Sequence, residues 1–261
     1  MALRILTWNV NGLRAAIRKG IGDWLESISP DIVLLQEIRA RPDQLPTPWA
    51  ELPDWYVHWH PAERPGYAGT CIWSRQQIDR VEIGIDGEDD PEGRLVIARI
   101  GNLDVASIYL PSGSSSETAQ SRKDTWMRAF APFAKKLMRR RRAVILGGDF
   151  NIARTERDLF HWRSNQNTSG FLPHERTWMD AMVSSGAHDL VRDHHGDIEG
   201  PYTWWSNRGQ ARSLNRGWRI DYLLGNTKAT ERMQNIHVNR DAGLAISDHA
   251  PVVVDLDEDG A

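Results

Sequence analysis

Apolar and β-branched residues fill the opening segment ALRILTWNV, which predicts a strand with buried positions. In GLRAAIRKGIGDWLESIS, residues Leu13, Ile17, Ile21 and Leu25 recur at helical spacing, predicting one helix that Pro30 closes. The run DIVLLQE predicts a buried strand. Residues 41 to 54 carry Pro42, Pro46, Pro48 and Pro53 and are expected to be loop or a short helix. The runs WYVHW, GTCIWS, RLVIARI and LDVASIYL follow with only turn-like breaks between them, predicting a mixed or antiparallel sheet. Between Ser116 and Arg142 the helical pattern returns, with Trp126, Phe130, Phe133 and Leu137 on one side. Pro132 lies inside that pattern and predicts a kink or two separate helices. RAVILGGDFNI predicts a strand that ends in a loop, and residues 152 to 173 are polar and aperiodic. HERTWMDAMVSSG predicts a short helix stopped at Gly186, and WRIDYLLGN and PVVVDL predict two further strands. No repeat, linker or shift in composition divides the chain, so a single α/β domain over 1–261 is expected.

Composition narrows the class. A hydrophobic fraction of 40% in 261 residues is enough for a sizeable core. No run of 18 apolar residues and no charged-then-apolar leader occurs, so a soluble cytoplasmic protein without a membrane partner is expected. The single cysteine, Cys71, excludes an internal disulfide and a thiolate cluster, and its setting in GTCIWS predicts a buried thiol. A net charge of −3 does not announce a nucleic-acid binder, but phosphate contacts need only a basic face. Arg208, Arg212, Arg216 and Arg219 fall in the acid-free stretch 201 to 220, and Arg14, Arg18 and Lys19 form a second group. The acids concentrate elsewhere, in Asp86 to Gly93 and after Pro251. Twelve tryptophans are many for this length, and several lie in polar surroundings.

The chemistry-bearing residues stand at strand ends. Asn9 and Asn11 follow the first strand, and Glu37 ends the second. Tyr109 precedes Pro111, Asp149 and Asn151 follow AVILGG, and Asp248 and His249 precede the last strand. If those strands are neighbours in a sheet, these side chains share one rim. Oxygen ligands of this kind suit a hard ion such as Mg²⁺. An aspartate can orient or deprotonate a water, and a histidine paired with a carboxylate can meet phosphate as a charged donor. Taken singly each signal is weak: asparagine after a strand is usually a turn former, GGD is a common turn, and a lone histidine is usually a surface residue. Asp221 is different, because a carboxylate in the apolar string WRIDYLL must be paired or functional.

Together the blocks TWNVNGLRA, LLQE, YLPSG, GGDFNI, GFLPHER, NRGWRIDYLL and SDHAP resemble, in order, the motif set of the exonuclease III family of class II abasic-site endonucleases. That family lies within the endonuclease/exonuclease/phosphatase superfamily, and the resemblance runs from residue 4 to about 254. GGD and SDH would match the wider superfamily. GFLPHER and PYTWWSNRGQARSLNRGWRID single out the DNA-repair branch over sphingomyelinases, inositol phosphatases or deadenylases.

The resemblance implies a four-layered α/β sandwich of two packed mixed β-sheets flanked by helices. It implies Glu37 as the principal Mg²⁺ ligand (Mn²⁺ as a substitute), with Asn11 and Asp248 near the ion and Asp149 and Asn151 shared between ion and attacking water. Asp221 would pair with His249 to grip the scissile phosphate, and Tyr109 and Asn9 would complete the phosphate site. Trp204, Trp218 and Ile220 match the apolar pocket for a flipped-out abasic sugar, and Trp205 shares their Arg-rich loop. Arg208 fits a groove-filling role, and Arg14, Lys19 and Tyr67 match DNA-backbone positions.

Two local features modify this picture. Ser112 to Ser116 stand where some relatives carry basic or amide side chains, whereas small Gly170 leaves the pocket open. The Arg139 to Arg142 run follows a helix, and its charge suits that helix end without DNA. The implied enzyme is a monomeric bacterial nuclease, nucleoid-associated when acting. It would cut 5′ to abasic sites in duplex DNA in base excision repair, with 3′-phosphodiesterase and 3′→5′ exonuclease activities on blocked 3′ ends. The alternatives are an enzyme that mainly trims 3′ ends, a phosphodiesterase for RNA, lipid or inositol, and a catalytically inactive DNA-binding protein.

Overall fold

The strands predicted from continuous apolar runs pair into two six-stranded sheets in a computed structural model, which describes residues 2–258. Met1 and residues 259–261, which the expected domain includes, lie outside the described residues. The first half of the chain supplies β1 (Ala2–Asn9), α1 (Leu13–Arg18), α2 (Ile21–Ile28), β2 (Ile32–Gln36), β3 (Tyr56–His60) and β4 (Thr70–Ser74). It continues with β5 (Arg80–Ile83), β6 (Leu95–Ile100), β7 (Leu103–Tyr109) and α3 (Glu117–Met138). After these come β8 (Ala143–Asp149), α4 (Pro173–Ser184), β9 (His188–Asp189), α5 (Leu190–His195) and β10 (Asp221–Gly225). The chain closes with α6 (Thr227–Glu231), β11 (Met233–Val238), α7 (Arg240–Ile246) and β12 (Val252–Asp257).

One sheet runs β11-β12-β1-β2-β4-β3 and the other β5-β6-β7-β8-β10-β9. Each has one parallel pair at its centre, β1 with β2 and β7 with β8, between antiparallel neighbours. The apolar runs follow from burial on both faces. In β1, Leu3 and Ile5 enter the core between the sheets, whereas Leu6 and Trp8 pack outward under α1, α2 and α7. In β8, Ala143 and Ile145 face inward, and Val144 and Leu146 face the layer of α3 and α4. The four-layered sandwich is therefore present.

Several local expectations change. Leu13 to Leu25 is not one helix: Gly20, with φ +89°, ends the first segment and begins a second. Pro132 does not divide α3 into two helices, since the helix runs unbroken for 22 residues. Pro132 and Arg128 lie on its exposed face, so the carbonyl left without an N–H partner meets water. GGD is strand rather than turn. A Cβ on Gly147 would stand 2.7 Å from Leu34 and 2.9 Å from Leu223, so glycine permits the close sheet-to-sheet approach there. Strands β5, β9 and β11 and helices α5 to α7 were not visible as patterns. As expected, Cys71 is fully buried. Among the described residues no helix is long and apolar enough to cross a membrane.

Arg219 is not part of a basic surface. It is fully buried, donating to Asp158 at 2.6 Å and to both oxygens of Asp189 at 2.9 and 2.7 Å, with Arg192 closing on Asp158 from the other side. Burial pushes Asp158 upward, but the two guanidinium groups outweigh it and hold the carboxyl at about 2. Asp158 therefore contributes stability above its ordinary value of 3.8, lost as pH falls toward about 2. Arg219→Met strands buried Asp189 and leaves Asp158 with Arg192 alone, and is expected to lower the unfolding free energy by about 3–5 kcal/mol, measurable by chemical denaturation.

Candidate active site

Parallel strands bring their C-terminal ends to the same edge, and in this fold both parallel pairs end at one rim. Asn9 closes β1 and Glu37 follows β2 in one sheet, while Tyr109 and Asp149 end β7 and β8 side by side in the other. β10 runs antiparallel to β8 and places its first residue, Asp221, opposite Asp149. His249 arrives on the turn before β12, where its carbonyl accepts a hydrogen bond from Trp8 Nε1 at 2.8 Å. Glu37, Asn11 and Asn151 adopt φ between +46° and +50°, a left-handed bend that turns each side chain back over the strand ends.

Hydrogen bonds then fix the rim. Asn9 donates from Nδ2 to Glu37 Oε1 at 2.8 Å and to Asp149 Oδ2 at 2.9 Å. Both of its N–H groups are thereby engaged, and Asn9 is fully buried. It aligns the two carboxylates with each other. Asp149 accepts from the Asn151 backbone at 2.8 Å, and Asn151 Nδ2 donates to the Leu110 carbonyl at 2.9 Å. His249 Nδ1 sits 2.9 Å from Asp221 Oδ2, and its Nε2 lies 3.9 Å from Asp149. Asn11 donates to Asp248 at 2.8 Å, and Trp204 Nε1 donates to the other oxygen of Asp248 at 3.2 Å.

The charges are strongly coupled. Burial pushes the Asp149 carboxyl up, the Asp221 charge adds to this, and His249 opposes it, leaving Asp149 at about 7. Burial pulls His249 down, but Asp221, Asp149 and Asp248 outweigh it and raise the imidazole to about 10. Burial likewise pushes Asp248 up, yet His249 and the Asn11 and Trp204 hydrogen bonds bring it below the usual range. The Tyr109 hydroxyl lies well above its ordinary value because of burial and the Glu37 and Asp149 charges, so it stays a neutral donor. Glu37, Asp149 and His249 each offer an atom within 4.8 Å of the others. Since His249 already faces Asp221 through Nδ1, carboxylate oxygens dominate the donor set, and it fits a hard divalent cation. Asn11 and Asp248, expected near the same ion, bond to each other at the adjoining edge.

These residues line a cleft of about 350 Å³ whose other wall is Gly170, Trp204, Trp218 and Ile220. Trp204 and Trp218 meet edge to face with centroids 6.3 Å apart. Gly170 (φ +94°) lies where a Cβ would be 3.2 Å from the Trp218 ring. A larger groove of about 690 Å³ has Arg154, Arg157, Arg163 and Arg176 on its walls. Asp180, Asp197 and Glu199 offset Arg154 and Arg157 there, and the catalytic set is absent from it.

The remaining expected positions divide. Arg14, Lys19 and Arg208 are exposed, and Lys19 Nζ donates to the Ile246 carbonyl at 3.0 Å. Tyr67 is half-buried, its hydroxyl accepting from Arg94 at 2.9 Å. Trp205 is not available to DNA: it is fully buried against Tyr202 and Ala250, with Nε1 bonded to Asn215 at 3.0 Å.

Sequence reasoning missed the supporting residues. Thr203 Oγ1 accepts from the backbone of Ile220 and Asp221, both at 3.1 Å, and so orients the start of β10. Ser247 donates to the Asn9 carbonyl at 2.9 Å and accepts from the His249 backbone at 3.2 Å. Arg94 stacks 4.9 Å over the Tyr109 ring and donates to its carbonyl at 3.0 Å. Arg39 pairs with the second oxygen of Glu37. No periodicity or spacing marks these four, although SDH and YTWW hold Ser247 and Thr203 inside legible motifs.

The profile described as the Endonuclease/Exonuclease/phosphatase family matches residues 6–249. The chain is 34% identical over 252 residues to an exodeoxyribonuclease of Bacillus subtilis, covering 96% of this chain and 98% of that protein. Its fold is similar to that of an AP endonuclease from Archaeoglobus fulgidus, with a TM-score of 0.89 and 27% identity over 98% of this chain and 100% of the other. A 3′-5′ exonuclease from Neisseria meningitidis gives the same TM-score of 0.89 with 28% identity, again over 98% of this chain and 100% of the other.

The raised values set a pH dependence. Both lie above those of the unfolded chain, 3.8 for Asp149 and 6.5 for His249. Their stabilising contributions are complete below those lower values and are lost as pH rises through about 7 and about 10. A catalytic rate that needs ionised Asp149 and charged His249 should rise as Asp149 ionises, at or below about 7 once a cation sits beside it, and fall near about 10. Asp221→Asn removes the main support of the imidazolium and is expected to move the upper limb down toward 6.5, as a rate–pH profile will show.

Proposed function

The chain belongs to the endonuclease/exonuclease/phosphatase family, in the branch of exodeoxyribonucleases and abasic-site endonucleases, and we propose that it hydrolyses the phosphodiester 5′ to abasic sites in duplex DNA. The same site would process blocked 3′ ends, as a single unit over 1–261 acting as a monomer in the cytoplasm. One observation carries this reading: the phosphodiesterase set and an aromatic-walled recess share one cleft. An abasic sugar is small and easily extruded, so a recess bounded by Trp204, Trp218, Ile220 and Gly170 favours it over an intact nucleotide.

In the mechanism, ionised Asp149, held by Asn9 and the Asn151 backbone, takes a proton from the attacking water. The water oxygen bonds to phosphorus as the bond from phosphorus to the 3′ oxygen breaks, and the 3′ oxygen keeps that electron pair and takes a proton from solvent to become a hydroxyl. His249, charged and steadied by Asp221, presents Nε2 to a nonbridging oxygen, and the neutral Tyr109 hydroxyl donates to the phosphate as well. Glu37 and Asp149, with Asp248, Asn11 and Asn151 beside them, would hold Mg²⁺ or Mn²⁺. When bound, that ion supplies Lewis-acid neutralisation of charge on the phosphoryl and leaving oxygens. Arg14, Lys19, Tyr67 and Arg208 would meet the duplex backbone or the vacated base position.

The likeness to a 3′-5′ exonuclease favours a second reading, an enzyme that mainly trims 3′ ends. A duplex with one internal tetrahydrofuran residue separates the two. Nicking in Mg²⁺ that stops in excess EDTA is expected, whereas removal of a 3′-phosphate without nicking would leave only the second reading. His249→Ala and Asp149→Ala are expected to lower the single-turnover rate by several orders of magnitude with little loss of duplex binding. Arg208→Ala should instead act on binding or product release, visible as a changed salt dependence of affinity.

A further inference from the structure

Beneath the rim lies an ion pair that no strand-end residue accounts for. Lys123 of α3 and Glu175 in the first turn of α4 are both fully buried, with Nζ 2.6 Å from Oε1. Lys123 Nζ also donates to the Asn151 carbonyl at 2.9 Å. Glu175 Oε2 accepts from the backbone N–H of Gly170 at 2.7 Å and of Leu172 at 3.0 Å. Its Oε1 accepts from Gln120 at 3.0 Å, and Gln120 in turn accepts from the Ser169 hydroxyl at 2.6 Å. One pair therefore grips two loops, residues 149–153 with Asp149 and Asn151, and residues 168–172 with Gly170.

The loops also touch directly. The Ala153 N–H donates to the Gly170 carbonyl at 2.8 Å, and a Cβ on Gly170 would lie 3.1 Å from the Asn151 carbonyl oxygen. Asn151 (φ +50°) and Gly170 (φ +94°) both hold left-handed backbone, which local preference does not maintain for asparagine without outside contacts. Helix capping alone would explain the bond from Glu175 to Leu172, and an uncharged glutamine could make it. It does not explain the bond to Gly170 or a counter-charge brought from another helix. Two buried charges carry a desolvation cost that the capping role does not require.

We propose that Lys123 and Glu175 are positioning residues that lock the water-orienting loop to the wall of the recess, so that lesion fit and chemistry are set by one contact. The coupling to the recess rests on the abasic-site reading above, whereas the coupling to Asn151 does not. Glu175→Gln keeps the side-chain volume but removes the charge and replaces with an NH2 group either the oxygen facing Lys123 and Gln120 or the one accepting from Gly170 and Leu172. It is expected to lower kcat for incision of the tetrahydrofuran duplex by about 10- to 100-fold, as loop misplacement of this kind does, with little change in KM. Release of a 3′-phosphate from a nicked duplex, which needs Asn151 but not the extruded sugar, should fall less. The ratio of the two rates should therefore drop.

Lys123→Arg, which retains the charge, should restore most of the rate, and Lys123→Met should not. The double variant Lys123→Met/Glu175→Gln removes both charges of this pair, and so provides a folded protein even if a single variant does not fold. It should lose about as much rate as the worse single variant, because the two side chains act as one unit. Wild-type turnover and an unchanged ratio per folded molecule in these variants would overturn the proposal. If the wild-type protein releases 3′-phosphate but never nicks the tetrahydrofuran duplex, the abasic-site reading fails by itself. The rate at which the same variants release a 3′-phosphate then still decides the link to Asn151.

Discussion

Glu37, Asp149 and Asp221 are three carboxylates buried at one rim, where low polarity makes their mutual repulsion costly. The arrangement around them offsets that repulsion. Asn9 sets neutral N–H groups between Glu37 and Asp149, His249 stands charged between Asp221 and Asp149, and Arg39 meets Glu37 from outside. What is left uncompensated is negative, and it faces the cleft. A divalent cation and a phosphate complement such a site together, because the ion answers the carboxylates while the imidazolium and the tyrosine hydroxyl answer the phosphate. Burial first, and then the neighbouring Asp221 and Glu37 charges, lift Asp149 to about 7, the range in which a carboxylate works as a base near neutrality.

Rigid supports hold these charges in place. The central parallel pairs β1–β2 and β7–β8 fix the four strand ends, and just below them Gln36 bonds Thr7 of its own sheet at 3.0 Å and Ser107 of the other sheet at 2.9 Å. Two buried ionic networks brace the second sheet's side of the rim. Arg219 with Asp158 and Asp189 anchors the segment that delivers Trp218, Ile220 and Asp221, and Lys123 with Glu175 anchors Asn151 and Gly170. Charge buried in this way is a weak source of stability, but it fixes geometry where a fraction of an ångström matters for reaction. The recess and the catalytic set are thus parts of one braced surface.

Much of this was legible from residue patterns because burial on both faces writes long apolar runs, and strand ends write isolated polar residues. Those polar residues do meet at one rim, where Asn9 bridges Glu37 and Asp149. The misreadings have a common form. Trp204 and Trp205 are neighbours in one polar loop, yet Trp204 lines the cleft while Trp205 is fully buried. Arg219 sits among exposed arginines in sequence but inside an acidic cage in space. Short edge elements such as β9, with two residues, and β11, with mostly half-exposed positions, offer too few residues for a period to emerge.

The sequence by itself determined the α/β class, the inventory of candidate strand-end groups and the requirement that Asp221 have a partner, since hydrophobic period and the cost of an unpaired buried carboxylate act locally. Tertiary structure alone decided which of those groups meet and which basic residues face solvent. It also decided how Lys123, Glu175, Thr203 and Ser247, anonymous along the chain, hold the others in place. Such contacts join residues as far apart as Ser247 and Asn9, so their distances and their protonation depend on the packed sheets and on no local pattern.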